Sequence, residues 1–86
     1  MYYVYVLKCS DNRSYIGCTE DLRNRLERHQ KGEVPATMKR LPVKLYSYFA
    51  LPDKTTAFNF EKYLKSGSGR AFLSKHGLGV KIDTNN

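Results

Sequence analysis

The sequence has little of what most often identifies a small protein. It has no tryptophan, two cysteines, two histidines, three prolines, and eight acidic residues against fifteen Lys and Arg in 86 residues. Cys9 and Cys18 are too few for the disulfide framework of a secreted domain of this size, so both are expected to be reduced thiols in a cytoplasmic protein. With only His29 and His76 to join them, no ligand pair has zinc-finger spacing. Nor is there a long apolar run. Lys8 interrupts the one at the N-terminus after seven residues, which excludes a signal peptide or a membrane span there. Without internal repeats or a linker, residues 1–86 read as one domain, with a core over about 2–76 and a tail over 77–86. A chain this short buries only about 60% of its unfolded surface, which leaves little room for a deep enclosed pocket.

The shortage of acids leaves a net charge of +7 and a pI near 9.6. The positive charge runs through the chain: Arg23, Arg25 and Arg28, then Lys39, Arg40 and Lys44, then Lys62, Lys65, Arg70 and Lys75. A basic surface spread this way draws polyanions, nucleic acid first, because neutralising phosphates releases condensed counterions.

What the chain does have is tyrosine. Residues 2–8, "YYVYVLK", read as a strand, "CSDNRS" as a turn, and "YIG" restarts an extended segment to make a hairpin. Thr19 is placed to cap a first helix through "EDLRNRLERHQK" that stops at Gly32. A loop bounded by Pro35 and Pro42 leads to an alternating strand, "VKLYSYFAL". Asp53 or Thr55 caps a second helix carrying "AFNFEKYLK", and Ser68, after the break at "SGSG", caps a short third one. The expected fold is α+β: a small three-stranded antiparallel sheet flanked by helices in the order ββαβαα.

On a helical wheel the apolar stripe of the first helix is Leu22 and Leu26. His29 falls beside Leu22 in angle, and Arg25 sits at the edge, one turn before His29. A guanidinium and an imidazole beside the packing face are costly unless an anion or a hydrogen-bonding partner is near. Arg25 reaching back to water with His29 closing the stripe is the plainer alternative. In the second helix Glu61 flanks the arc of Ala57, Phe60, Tyr63 and Leu64, where it can turn toward the same sheet or pair with Lys65 four residues on. Gly67, Ser68 and Gly69 with Arg70 allow a phosphate-cradling turn or a plain joint between helices.

Taken in order, "YVY" at 3–5, "YIG" at 15–17, Arg25, His29 one turn further, and Glu61 in a later helix resemble the GIY-YIG nucleases. The likeness runs from Tyr3 to about His76 and is closest to the small stand-alone members. That family includes repair, restriction and mobile-element endonucleases, so the resemblance implies a metal-dependent DNA endonuclease. It assigns Tyr5 as a general base for the attacking water and Tyr15 as a phosphate ligand or partner in that proton transfer. Gly17 becomes a nucleic-acid contact where backbone and substrate approach closely, Arg25 the stabiliser of phosphate charge, His29 an orienting or relay group, and Glu61 the ligand of a single Mg²⁺ or Mn²⁺. Arg23, Arg28, Lys39, Arg40, Lys65 and Arg70 are then the nucleic-acid contacts. The family's first glycine and isoleucine are Tyr3 and Val4 here, and the late asparagines are Asn85 and Asn86 in the tail. One site per chain would nick one strand, so a monomer or weak homodimer is expected. The alternative is a catalytically silent nucleic-acid-binding module of the same fold, which needs the basic residues but not Glu61.

The assignment makes a geometric demand. Opposed residues of a hairpin share a face, so Tyr5 and Tyr15 meet only if paired residue numbers sum to an even value, as when Ser10 pairs with Ser14 around a three-residue turn.

Overall fold

The structure, a computed structural model, describes residues 1–80. Residues 81–86, and with them Asn85, Asn86 and most of the expected tail, lie outside the described residues. The order is ββαβαα: β1 Tyr2–Lys8, β2 Ser14–Thr19, α1 Leu22–Gln30, β3 Lys44–Leu51, α2 Lys54–Leu64 and α3 Gly67–Lys75. The three strands form one antiparallel sheet in the order β2-β1-β3, with the Tyr/Val-rich β1 in the centre. The expected α+β fold is the observed one.

Parity in the hairpin is even, as the site requires. Tyr5 lies opposite Gly17 and Leu7 opposite Tyr15. The turn comes one residue earlier than Ser10 facing Ser14: the Cys9 N–H donates to the Arg13 carbonyl at 3.0 Å, closing the turn around Ser10, Asp11 and Asn12. Asn12 takes the left-handed conformation at φ 61°, which its short polar side chain tolerates. Arg40 reinforces the turn, donating to both Asp11 carboxylate oxygens while its carbonyl accepts from the Ser10 N–H at 2.9 Å.

Two caps differ from expectation for the same reason: the residue nearest the first free N–H groups wins. Asp21, not Thr19, caps α1, accepting from the Asn24 N–H at 3.0 Å, while the Thr19 hydroxyl accepts from the Asp21 N–H one step earlier. Ser66, not Ser68, caps α3, which begins at Gly67 almost directly after α2. Asp53 caps α2, one of the two candidates. At the far end of α1, Gly32 at φ 77° donates to the His29 carbonyl and Glu33 donates to that of Arg28, a Schellman closure that fixes the turn carrying His29.

The sheet buries both faces. On one, Val4, Val6 and Ile16 pack with Ala57, Leu64 and Leu73 of α2 and α3, joined by Phe49, Leu51 and Leu78. Leu78, past the expected core boundary, is held by its N–H to the Leu73 carbonyl and by its own carbonyl, which accepts from the Ser47 hydroxyl at 2.6 Å. On the other face, Tyr5, Leu7, Cys9 and Val43 pack with Leu22 and Leu26 of α1. β3 serves both faces because its register slips between Val6 and Leu7: Val6 faces Ser47 but Leu7 faces Leu45, which leaves Tyr46 as the extra residue. The bulge sends Leu45 to the α1 face and Phe49 to the other, although the two fall on one side of the sequence alternation.

Candidate active site

The two helices that supply the charged candidates lie on opposite faces of the sheet. Arg25 and Glu61 therefore approach the one sheet from opposite sides; both act electrostatically on Tyr5 and on Cys18 of β2. The geometry concentrates on the free β2 edge. Tyr5 starts in the central strand, and its ring crosses β2 at Gly17, where a β-carbon would overlap the phenol hydroxyl. The space that a side chain at Gly17 would need is taken by Tyr5. Any side chain at residue 17 would push the phenol back from the edge.

Behind the phenol is a buried chain of polar groups. The Tyr5 hydroxyl lies 2.9 Å from His29 Nε2, and His29 Nδ1 lies 2.7 Å from Thr37 Oγ1. Tyr5, His29 and Thr37 are all essentially inaccessible to water. Two proton arrangements satisfy the chain. With the ring proton on Nδ1, His29 donates to Thr37 and the Tyr5 hydroxyl donates to Nε2. With it on Nε2, Thr37 donates to Nδ1 and the imidazole donates to the phenol oxygen. Tyr15, half-buried, packs its ring against both others, with centroids 5.2 Å from His29 and 6.4 Å from Tyr5.

Burial dominates the electrostatics. It pushes the Tyr5 phenol well above its ordinary pKa; Tyr15, Glu61 and Cys18 push the same way, and Arg25 opposes them without prevailing. A nearby cation should lower a phenol, and Arg25 does so here, but burial outweighs it. Burial, then Arg25 and Arg28, hold His29 below its ordinary value. At neutral pH the pair is a neutral phenol hydrogen-bonded to a neutral imidazole.

Glu61 accepts a hydrogen bond from Lys65 Nζ at 2.9 Å, the i, i+4 pair foreseen as its alternative role. Among the described residues no three His, Cys, Asp or Glu side chains converge on one point, so a protein-only metal cage does not fit. A lone carboxylate does fit Mg²⁺ or Mn²⁺ held jointly with water and a substrate phosphate, the arrangement Mg²⁺ commonly adopts.

The basic residues divide by place. Arg40, Lys65 and Arg70 line a cleft with Tyr15, although Arg40 is committed to Asp11. Arg23 lines a separate groove between α1 and β3, Arg28 pairs with Glu33 at 3.8 Å, and Lys39 is exposed in the loop after α1. Two contributors were not singled out from the sequence. Thr37 comes from a loop without periodicity and gave no signal; Arg13, in the same cleft as Tyr15, was readable only as a turn residue.

Residues 1–74 match the model of the GIY-YIG catalytic domain. The UPF0213 protein of Pediococcus pentosaceus is 37% identical over 83 residues, covering 92% of this chain and 87% of its own. That of Streptococcus sanguinis is 38% identical over 73 residues, 84% of each chain. The solution NMR structure of a UPF0213 protein from Bacillus halodurans superposes with a TM-score of 0.57 at 32% identity, covering 92% of this chain and 88% of that one. The hairpin that joins Tyr5 to Tyr15 and the helix that delivers Arg25 and His29 both fall within the matched span, and the chain belongs to the GIY-YIG family, among the small UPF0213 proteins.

Proposed function

We propose that the chain is a metal-dependent endonuclease that hydrolyses a phosphodiester bond of DNA at the β2 edge, in repair or recombination. The observation that carries this reading is the buried Tyr5–His29 hydrogen bond of 2.9 Å, which lies directly beneath Gly17 of the edge strand β2. A phenol with a raised pKa is a poor standing base, so it must lose a proton as it gains one. The Nδ1–H tautomer of His29 allows this: the water oxygen bonds to phosphorus, its proton passes to the Tyr5 oxygen, and Tyr5's own proton passes to Nε2. The phosphorus–oxygen bond to the leaving nucleoside breaks, and the leaving oxygen takes a proton from solvent. His29, neutral in the resting protein, is free to accept, and the incoming phosphate charge favours its protonated form. Arg25 stabilises the charge gathering on the phosphoryl oxygens, and Tyr15 bonds the phosphate from the edge. Glu61, released from Lys65, would hold a divalent ion, Mg²⁺ or Mn²⁺, which supplies charge neutralisation at the leaving oxygen.

The test is incubation with branched, single-stranded and duplex DNA in Mg²⁺, Mn²⁺ or EDTA. Nicking that needs metal and is lost in Glu61→Gln is expected. Salt-sensitive binding without cutting under any metal would select the silent binding module instead.

A further inference from the structure

A cleft of about 460 Å³ opens where the active site ends, between the β2 edge and α3. Its lining combines three chemistries. Arg13 and Arg70 reach it from opposite sides, and neither makes an ion pair among the described residues. Ile16, Leu73 and Val80 give it an apolar floor, with Ser14 and Ser74 as hydroxyl groups at the wall. Tyr15 also lines it, and its ring packs on Tyr5 and His29 on the α1 side of the same strand, so the cleft and the active site share the β2 edge. Lys65 makes a second link to the site through its hydrogen bond to Glu61. Cations used only for general attraction need no hydrophobic floor. A cavity of this size is in the range that takes a small molecule, roughly 300–1,000 Å³, and cannot admit a duplex.

We infer that this cleft is a subsite for one unpaired nucleotide of the strand being cut, next to the scissile phosphate. Arg13 and Arg70 take its phosphate, while its base and sugar lie on Ile16, Leu73 and Val80. The favoured substrate then presents an unpaired nucleotide beside the cleavage point, as at a flap, a gap or a single-stranded stretch. The identity of the strand rests on the nuclease reading above, but the cleft can be tested without turnover.

The full-length ¹⁵N-labelled protein is titrated in EDTA with thymidine 5′-monophosphate, inorganic phosphate, a thymidine decamer and a blunt duplex of equal length. The nucleotide is expected to shift the amides of Ser14, Ile16, Leu73 and Gly79 more than phosphate does, and the decamer to bind at least about tenfold tighter than the duplex. Arg70→Ala should lower the salt-dependence slope for the decamer by about 0.7, one phosphate contact on a single strand. Ser74→Trp, at an exposed residue, fills the cleft without removing charge and should weaken decamer binding at least about fivefold while its amide spectrum stays dispersed. Equal affinity for decamer and duplex, phosphate reproducing the nucleotide's shifts, or an unaffected Ser74→Trp would each overturn the inference. A protein that binds here but cuts nothing with any metal refutes the nuclease reading alone, whereas cleavage of duplex with the cleft empty refutes the subsite alone.

Discussion

On the sheet face that carries α2 and α3, Val4, Val6 and Ile16 meet Ala57, Leu64 and Leu73, with no charged group in the cluster. On the face that carries α1, Tyr5 and Leu7 share the interior with His29 and Thr37. Both interiors draw on the same strands, one residue apart. The apolar face needs only volume and shape, while the α1 face needs each polar group to keep its partner, because a buried donor or acceptor left alone costs about 1–3 kcal/mol. The difference teaches where function can be accommodated. One face holds the sheet together, and the other contains the buried Tyr5–His29–Thr37 hydrogen-bonded chain that the proposed reaction would use as a relay.

Tyr5→Phe sharpens that comparison most. It removes one oxygen and preserves the ring, so the apolar packing survives and His29 Nε2 loses its partner. Cleavage should fall by about 10²–10⁴-fold, the usual contribution of a positioned proton-transfer group, with nucleic-acid binding retained. Single-turnover rates and binding isotherms read the two separately; parallel loss of both would reduce Tyr5 to a structural residue. Leu64→Ala makes the opposite cut. It opens a cavity on the face without buried polar side chains among the described residues and should cost about 2–5 kcal/mol in urea unfolding, with the residual folded protein keeping its specific activity. A variant that stayed folded but lost turnover would show that the faces are coupled.

The same contrast explains what the sequence could reveal. Alternation and turn residues were enough for the ββαβαα order, and Arg25 and His29 were already conspicuous beside a two-leucine stripe. Thr37 was invisible because its role is set by a partner eight residues away across an aperiodic loop. The bulge at Tyr46 was hidden because Val43, Leu45, Ser47 and Phe49 alternate without a break, and only the pairing with β1 shows that the set divides between faces. The capping errors at Thr19 and Ser68 were local competitions between neighbouring oxygens, which residue types alone do not decide.

Acid and base should attack the α1 face specifically. His29 is held below its ordinary value in the fold, so its contribution is complete above the unfolded value of about 6.5 and is lost as pH falls through the folded value. Tyr5 is held above its ordinary value, so its contribution is complete below about 10 and is lost as pH rises through the folded value. Each limb can reach at most about 1.4 kcal/mol per pH unit for one proton. Unfolding free energy measured across pH should lose part of its acid limb in His29→Gln and part of its alkaline limb in Tyr5→Phe. Limbs of unchanged slope in these variants would mean that the relay does not control the pH range of this face.

The smallest expected effect lies at the rim between the faces. The Lys65–Glu61 pair is an exposed i, i+4 contact, and such pairs are worth only about 0.3–0.5 kcal/mol, so Lys65→Met should leave unfolding almost unchanged. Metal affinity should respond differently. If Glu61 is the ligand, the lysine competes with the ion for the same carboxylate, and removing it should tighten Mn²⁺ binding, measured by paramagnetic titration at low salt without nucleic acid. With a phosphate-bearing strand present the order should reverse, because Lys65 also lines the cleft and a cation is then missing from the phosphate path. Mn²⁺ affinity that ignores Lys65→Met in both conditions would leave Glu61 as half of a surface ion pair, and the carboxylate would no longer distinguish a nuclease from a binding module.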